Sequence, residues 1–289
     1  MPGIEDVARL AGVSTATVSR ALSGKDVVSE KARKKVEAAA NELGYIVSHS
    51  AYTLATGRNR NIGVVMPYVD RWFFSAALEA IESTLIEAGY DLTLYNLSGG
   101  EEQRGRIFND FLMRQRVDAI LTVAVHPNEP ELEQLNKMMK PIIAIGGQVH
   151  GARSLAMNDH DAGKLATEHL LSLGHTRVAN ISGSVNSDRE FNQADKRREG
   201  YLEAMHEAGL ETRKNWLVEA DYTAQGAYKV AKQMLGDPKN SPTAIFANSD
   251  EMGFGAMMAA KDLGLRVPED ISVIGIDNHD MAELFGLTT

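Results

Sequence analysis

The sequence predicts an α/β protein in which two lobes, each built on a doubly wound parallel sheet, follow an all-α N-terminal segment. Apolar β-type runs alternate with helical patterns from Ile62 onward, this alternation occurs twice, and the first 45 residues contain helical patterns only. The chain has 289 residues, of which 44% are hydrophobic and 24% charged, as is typical of a globular protein. A length of this order is enough for two or three domains.

The composition excludes several classes of protein. Because the sequence contains no cysteine, it has no disulfide scaffold, no thiolate zinc site and no cysteine nucleophile. No segment reaches the roughly 18 consecutive apolar residues that a membrane-spanning helix needs. The first twenty residues carry four charged side chains and no apolar stretch, so they do not resemble a secretory signal. We therefore expect a cytoplasmic protein without a membrane partner.

The net charge of −9 is unevenly distributed along the chain. Residues 1–60 carry nine Lys and Arg against six Asp and Glu, whereas the remainder carries 21 against 33. A basic head attracts nucleic acid, and an acidic body repels it. On charge alone, chance variation in composition explains this asymmetry equally well.

The N-terminal pattern predicts a helix-turn-helix. Glu5–Ala11 has helical periodicity, Gly12 interrupts it, and Ser14 is a candidate N-cap for a second helix over Thr15–Leu22. A third helix is predicted from Ser29 to Leu43. Two short helices joined by a turn of three or four residues are typical of this DNA-binding motif.

The rest of the chain is predicted to form two successive strand–helix repeats, separated from the head by a polar linker. Predicted strands are Ile62–Met66, Leu92–Tyr95, Ala119–Val123, Ile142–Ile145, Arg177–Ile181, Trp216–Glu219, Ala244–Phe246 and Ser272–Ile276. Predicted helices are Phe74–Ala88, Glu101–Arg114, Glu129–Met139, Asp161–Leu173, Lys196–Ala208, Ala224–Leu235 and Glu251–Leu263. In such sheets ligands bind at the carboxyl ends of the strands, so we expect a site in the cleft between the lobes.

A series of ordered motifs runs along essentially the whole chain. Residues 4–22 read IEDVARLAGVSTATVSRAL, and later motifs are ELGY at 42–45, TGR at 56–58, IGVV at 62–65, WFF at 72–74, HLLSLGH at 169–175, RREGY at 197–201 and VPEDISVIGID at 267–277. These motifs resemble those of the LacI/GalR (lac/gal repressor) family of bacterial transcriptional regulators. The resemblance implies a homodimeric, effector-controlled DNA-binding protein with a periplasmic-binding-protein-like body, no enzymatic activity and no cofactor. Such a protein would be nucleoid-associated when bound to DNA.

The resemblance also implies a domain organisation. We expect a helix-turn-helix domain at 1–46, a hinge at 47–61, an N-terminal lobe at 62–157 and a C-terminal lobe at 158–289. In the family, the stretch similar to Leu287-Thr288-Thr289 continues into a further helix and strand of the first lobe. We therefore expect this chain to lack the C-terminal return segment.

Eight residues match positions that the family uses on DNA. Thr15 and Ala16 match the two specificity positions, and Arg20 matches a base-reading position, where an arginine can form a bidentate contact with guanine. A solvated or phosphate-bound arginine is the alternative for Arg20. Hydroxyls expected near phosphates are Ser14, Thr17, Ser19 and Tyr45, of which Ser14 is also a candidate N-cap. Leu54 matches a residue that wedges between base steps in the minor groove, and an ordinary apolar linker residue is its alternative.

Eight further residues match the effector cleft or flank its motifs. They are Asp70, Arg71, Phe73, Phe74, Arg197, Tyr222, Ser249 and Asp277. Aromatic side chains offer a flat apolar face, and carboxylate, guanidinium and hydroxyl groups pair with polar ligand atoms. Phe74 is nearly as well explained as a core residue. A surface ion pair is an equally good interpretation of Asp70-Arg71. A sugar fits this set best, although purines and other small polar molecules fit too. Gly146 stands where a number of relatives carry Asp, so one possible ligand-binding carboxylate is missing here.

Competing motifs are weak. Tyr228 and Lys232 have the Tyr-x-x-x-Lys spacing of short-chain dehydrogenases, but no glycine-rich phosphate loop follows the first predicted strand. The eight histidines form no spaced cluster, so no metal site is expected. The alternative function is a sugar-binding protein or enzyme with the same two-lobed body and no role in gene regulation. Induction and co-repression by the effector both remain open.

Overall fold

The computed structural model describes residues 2–22, 28–45, 57–184 and 192–289. The chain forms two compact units, residues 1–60 and residues 61–289. Most of the expected hinge, including Leu54, lies outside the described residues.

The first unit contains three helices at the predicted places. They are α1 (Ile4–Ala11), α2 (Thr15–Leu22) and α3 (Glu30–Leu43). Gly12 ends α1 with a φ of 66°, a left-handed conformation that costs glycine little. The Ser29 hydroxyl accepts the Ala32 N–H and so caps α3. The three predicted helices are therefore confirmed, with α1 beginning one residue earlier than expected.

A small apolar core holds these helices together. Its buried members are Val7, Ala8, Ala11, Val18, Ala21, Val36, Ala39 and Ala40. Because Val18 and Ala21 turn one face of α2 toward this core, the opposite face of α2 is left in solvent. Tyr45 is half-buried and packs against the same core.

The first lobe of the second unit is a five-stranded parallel sheet. Its strands are β1 (Asn61–Met66), β2 (Asp91–Asn96), β3 (Ala119–Val123), β4 (Ile142–Ile145) and β5 (Arg153–Leu155), in the order β2-β1-β3-β4-β5. Its helices are α4 (Trp72–Glu87), α5 (Gly100–Arg106) and α6 (Glu129–Lys137). The single helix predicted over Glu101–Arg114 is wrong in its second half, because α5 widens into a π-turn at Ile107–Phe111 and ends in a 3₁₀ turn at Leu112–Arg114.

The second lobe is a four-stranded parallel sheet. Its strands are β6 (Val178–Ser182), β7 (Leu217–Glu219), β8 (Ala244–Ala247) and β9 (Ser272–Ile274), in the order β7-β6-β8-β9. Its helices are α7 (Asp159–Ser172), α8 (Gln193–Glu207), α9 (Ala224–Leu235), α10 (Asp250–Asp262) and α11 (Ala282–Phe285). The strand predicted over Ser272–Ile276 ends two residues early, and Trp216 lies in a 3₁₀ turn before β7.

Both sheets are covered on both faces, as the doubly wound prediction requires. Along β8, Ile245 packs in one buried cluster together with Trp216, whereas the next residue, Phe246, packs in another together with Tyr201. Alternate side chains of a strand point to opposite faces, so apolar layers lie on both sides of the sheet. Across the described ranges of the chain, no helix is long and apolar enough to cross a membrane.

Candidate functional site

The exposed face of α2 carries the residues expected to contact bases. Thr15, Ala16 and Arg20 are exposed, while Thr17 and Ser19 are half-buried. The Ser14 hydroxyl accepts the Thr17 N–H at 3.2 Å and lies 2.9 Å from the Thr17 hydroxyl. The N-cap prediction for Ser14 is thus confirmed, and the cap fixes the first turn of the helix that presents these side chains.

A cavity of about 430 Å³ lies between the two lobes, where strands of both sheets end. Seven of the eight predicted cleft residues line it: Arg71, Phe73, Phe74, Arg197, Tyr222, Ser249 and Asp277. Further lining residues that the sequence did not single out as contacts are Ile145, Gly146, Leu155, Ala156, Met157, Gln193 and Glu251. Asp70 is exposed on the loop before α4 and is not among the described residues of the cavity wall.

The aromatic wall comes from the first turn of α4. Phe73 is 39% exposed, whereas Phe74 is 7% exposed and belongs to the core of the first lobe. Their rings meet edge to face with centroids 5.3 Å apart. Phe74 thus has both of the roles considered for it, since it packs in the core and also lines the cavity. The Arg71 guanidinium lies 3.7 Å above the Tyr68 ring at the entrance to this helix.

Arg197 lines the cavity on the opposite lobe and is held from several sides. Its Nε donates to Asp159 Oδ1 at 2.8 Å, and its Nη1 donates to the backbone oxygen of Asn248. Burial alone would lower the pKa of Arg197, but electrostatic interactions with Tyr222, Asp159 and Asp277 outweigh burial and raise it. The guanidinium is therefore a permanently charged donor with a fixed orientation.

Asp277 follows the last strand of the second sheet in a strained conformation. Its φ is 137°, a value that L residues rarely adopt, and such strain is concentrated at functional sites. Burial is the main cause that raises the pKa of Asp277, to about 7; Asp250 and Glu251 also raise this pKa, while Arg197 opposes the increase. At neutral pH this carboxyl can therefore both accept and donate hydrogen bonds.

The N-terminus of α10 places further polar side chains beside Asp277. The Ser249 hydroxyl accepts the Met252 N–H at 3.3 Å, so Ser249 caps α10 as well as lining the cavity. Asp250 is fully buried and accepts the His279 N–H at 2.8 Å. Burial raises the pKa of both Asp250 and Glu251.

Tyr222 reaches the cavity because residue 183 is a glycine. A Cβ at Gly183 would lie 1.8 Å from the Tyr222 ring, so no other residue could occupy that position without moving the ring. Tyr222 itself has a φ of 57°. A second strained backbone position therefore lines the same cavity.

Three contacts join the lobes around the cavity. The Gln193 side-chain amide donates to the Gly146 backbone oxygen at 2.8 Å. The Glu251 carboxylate lies near the backbone N–H of Trp72, at the start of α4, and this N–H lowers the pKa of the carboxyl against the larger effect of burial. The Trp72 ring stacks on His279 with centroids 4.5 Å apart. Sequence spacing could not predict these pairs, because each partner lies on a different lobe.

The Tyr-x-x-x-Lys motif has a surface role in the structure. The Tyr228 hydroxyl donates to Asp262 Oδ2 at 2.6 Å, and Lys232 Nζ lies 3.2 Å from the same oxygen. These side chains join α9 to α10 on an exposed surface, away from the residues that line the cavity.

A helix-turn-helix unit together with a two-lobed body enclosing a polar and aromatic cavity defines a ligand-responsive DNA-binding regulator. Comparisons with known proteins agree with this class. Residues 3–48 match the family described as "Bacterial regulatory proteins, lacI family". Residues 59–285 match "Periplasmic binding proteins and sugar binding domain of LacI family".

Individual relatives cover nearly the whole chain. The "HTH-type transcriptional repressor PurR" of Vibrio vulnificus (strain CMCP6) is 36% identical over 294 residues, covering 100% of this chain and 86% of the relative. The lac repressor dimer bound to operator and the anti-inducer ONPF has a TM-score of 0.83 at 29% identity, covering 98% and 84% of the two chains. A CelR–cellobiose complex has a TM-score of 0.67 at 28% identity, covering 98% and 85%.

The chain belongs to the LacI family. It is a LacI-family repressor with a DNA-binding domain and an effector-binding domain. Because its relatives are transcriptional repressors, the alternative of a sugar-binding protein or enzyme without gene regulation is wrong.

Proposed function

We propose that this repressor binds a pseudo-palindromic operator as a homodimer, and that a sugar in the inter-lobe cavity controls its affinity for the operator. The observation that carries the proposal is the cavity itself, which sets Phe73 of one lobe together with Arg197 and Asp277 of the other. A ligand that contacts both walls favours the closed arrangement of the lobes over an open one.

On DNA, α2 would enter the major groove with its first residues at the base edges. The short side chains of Thr15 and Ala16 would contact base edges directly, and Arg20 would pair with a guanine. Ser14, Thr17, Ser19 and Tyr45 would contact phosphates and set the register of the helix. Leu54 would wedge into the minor groove between the half-sites. Two such units on a two-fold axis explain why the operator should be nearly palindromic.

A sugar suits the cavity because it has one apolar face and a rim of hydroxyls. Phe73 offers a partly exposed aromatic face, while Arg197 donates and Asp277 accepts or donates hydrogen bonds. Two structures of similar transcriptional regulators also support a sugar. One is CelR with cellobiose, and the other is a regulator from Lactobacillus casei with bound sucrose, which has a TM-score of 0.69 at 26% identity and covers 78% of this chain and 82% of its own.

The control of DNA binding would follow from the difference in effector affinity between lobe arrangements. A ligand can shift the equilibrium between two lobe arrangements only by the difference in its binding free energy for them, typically about 1–3 kcal/mol. Rotation of one lobe on the other would change the spacing of the two DNA-binding units in the dimer.

A thermal-shift screen of the full chain against sugars, phosphosugars and purines tests the effector. A ligand present at 100 times its Kd adds about 2.7 kcal/mol of stability, which is readily measured. Each ligand found should then change the affinity for an operator selected from random duplexes. A sugar that shifts melting but leaves operator affinity unchanged would contradict control of DNA binding by the cavity.

A purine base is the second candidate effector. Phe73, Phe74 and Tyr222 place three aromatic side chains at the cavity, and flat heterocycles stack on such rings. The Asp277 carboxyl could pair with a ring N–H. The same screen separates the candidates, since a purine would shift melting where every sugar fails.

A further inference from the structure

A second cavity, of about 1110 Å³, adjoins the first. It is lined by the loop at 126–129, by residues 146–150 after β4 and by residues 156–160 at the start of α7. Gly146, Ala156 and Met157 line both cavities. We propose that the effector site continues from the first cavity into the second, and that the effector is a neutral glycan of at least two sugar units. This inference rests on the sugar-controlled function proposed above.

Gly146 lies where the two cavities meet and has no side chain to fill the junction. Gly146 has a φ of 84°, and a Cβ built there would lie 3.5 Å from Ala124 Cβ and from Gln193 Nε2. A longer side chain at this position would have to extend into the shared wall. Met157, which is 52% exposed, adds an apolar surface on which a sugar ring can pack.

A buried ion pair holds the wall of the second cavity in place. Arg104 Nε donates to Glu131 Oε1 at 2.5 Å, and both side chains are buried. Arg104 Nη2 also donates to the His126 backbone oxygen at 2.8 Å, and Glu131 Oε2 accepts the Asn128 N–H at 2.9 Å. A buried ion pair adds little net stability, so its main effect here is the fixed geometry of the 126–128 loop.

The charges around the second cavity favour hydroxyls over phosphate. The N-termini of α6 and α7 reach the cavity, but the side chains of Asn128 and Asn158 already cap them. The exposed Glu129 occupies the first turn of α6 and repels an anion, whereas Asp159 in the first turn of α7 is ion-paired with Arg197. Lys196 forms an ion pair with Glu199 at 2.6 Å. The amide of Gln148 and the imidazole of His150 remain as groups that both donate to and accept from hydroxyls.

Isothermal titration of the full chain tests the inference. The probes are glucose, galactose, fructose and glucose 6-phosphate, together with cellobiose, maltose, lactose and sucrose. At least one disaccharide should bind about tenfold tighter than its own monosaccharides, which corresponds to about 1.4 kcal/mol. Gly146→Asn should reduce this ratio to about one, since asparagine tolerates a positive φ while its side chain fills the junction.

The matched control is Gly151→Asn. Gly151 has a φ of 79°, and a Cβ there would meet nothing within 4 Å, so the backbone strain is similar but the junction stays open. This control should keep the affinity ratio of the parent. His150→Ala, which changes an exposed side chain of the second cavity, should lower the ratio without altering the backbone.

The outcomes separate the two proposals. Binding of monosaccharides with no gain for any disaccharide overturns the two-cavity site and leaves the sugar function standing. A gain that survives both Gly146→Asn and His150→Ala also overturns it. Tighter binding of glucose 6-phosphate than of any disaccharide would show that the site prefers an anion, and overturns the inference that the effector is a neutral glycan. Failure of every glycan to bind overturns the sugar function and this inference with it.

Discussion

Trp72 and His279 stack across the cleft with ring centroids 4.5 Å apart and planes 25° from parallel. Trp72 begins α4 in the first lobe, and His279 follows the last strand of the second lobe. The Phe254 ring meets His279 edge-on at 5.2 Å. Aromatic pairs of this kind contribute about 0.5–1.5 kcal/mol beyond the area they bury. The stack therefore favours the arrangement of the lobes in which the cavity is enclosed.

We expect His279→Ala to shift the emission of Trp72 to longer wavelength in the absence of effector. Loss of the stack exposes the Trp72 indole to water. Trp216, the other tryptophan, is 1% exposed and bonded to the Asn240 backbone oxygen, so its emission serves as a constant background. Steady-state fluorescence of the purified protein measures the shift.

The control for this experiment is His206→Ala, which removes an exposed imidazole on α8 of the second lobe. Its emission spectrum should match that of the parent. If His279→Ala also leaves the spectrum unchanged, Trp72 does not depend on the other lobe for its environment.

The raised pKa of Asp277 predicts a pH-dependent stability. Because the pKa rises to about 7 in the folded protein, the folded state holds a proton that the unfolded state has lost between about pH 4 and 7. The contribution of this group to stability is therefore full at low pH and lost as the pH rises through 7. Asp277→Asn removes the cost of ionisation, so its melting temperature should exceed that of the parent by more at pH 8 than at pH 5.

Differential scanning calorimetry of both proteins at the two pH values measures this difference. Glu133→Gln, at an exposed carboxylate on α6, controls for a general effect of charge removal and should show no pH-dependent gain. An equal difference at pH 5 and pH 8 would show that burial does not hold the Asp277 carboxyl protonated.

Arg20→Ala should weaken operator binding by about 1–3 kcal/mol and relax the preference at one base pair of each half-site. Arg20 is exposed on the face of α2 opposite Val18 and Ala21, where a major-groove contact is possible. Selection from random duplexes, followed by anisotropy titrations, gives both quantities. A uniform loss across all sequences would instead place Arg20 on a phosphate.

Arg9→Ala is the comparison for Arg20. Arg9 lies on α1, is ion-paired with Asp6 at 2.7 Å and is largely exposed. Removing it should leave the selected base preferences unchanged, because the first helix of the motif crosses the backbone and does not enter the groove.

The predicted fold succeeded where apolar runs were bounded by turn residues. The strands Ala119–Val123 and Ile142–Ile145 and the helix Ala224–Leu235 have the predicted bounds. β5 (Arg153–Leu155) was not predicted, since it is a three-residue edge strand whose side chains are exposed, and it carries no apolar alternation. The π-turn at Ile107–Phe111 was missed because its apolar spacing resembles that of an α-helix.

Family motifs led to most of the cavity wall, and local sequence could not lead to the rest. Phe73, Arg197 and Asp277 lie in the family motifs that this sequence contains at 72–74, 197–201 and 267–277. Gln193 and Glu251 act through partners on the other lobe, Gly146 and Trp72, which are 47 and 179 positions away in the chain. Such proximity arises from how the lobes close on each other, and neither periodicity nor spacing contains it.

Glu131→Gln should destabilise the second unit by about 3 kcal/mol, because it leaves the buried Arg104 guanidinium without its charged partner. The paired substitution Arg104→Met with Glu131→Leu should recover most of that loss, since well-packed apolar side chains often replace a buried ion pair without cost. Glu102→Gln, which breaks an exposed i, i+4 pair with Arg106, should change stability little. Urea unfolding of the four proteins measures these differences. If the single and paired substitutions are equally destabilising, the bonds to the backbone at His126 and Asn128 are more important for stability than the charge pair itself.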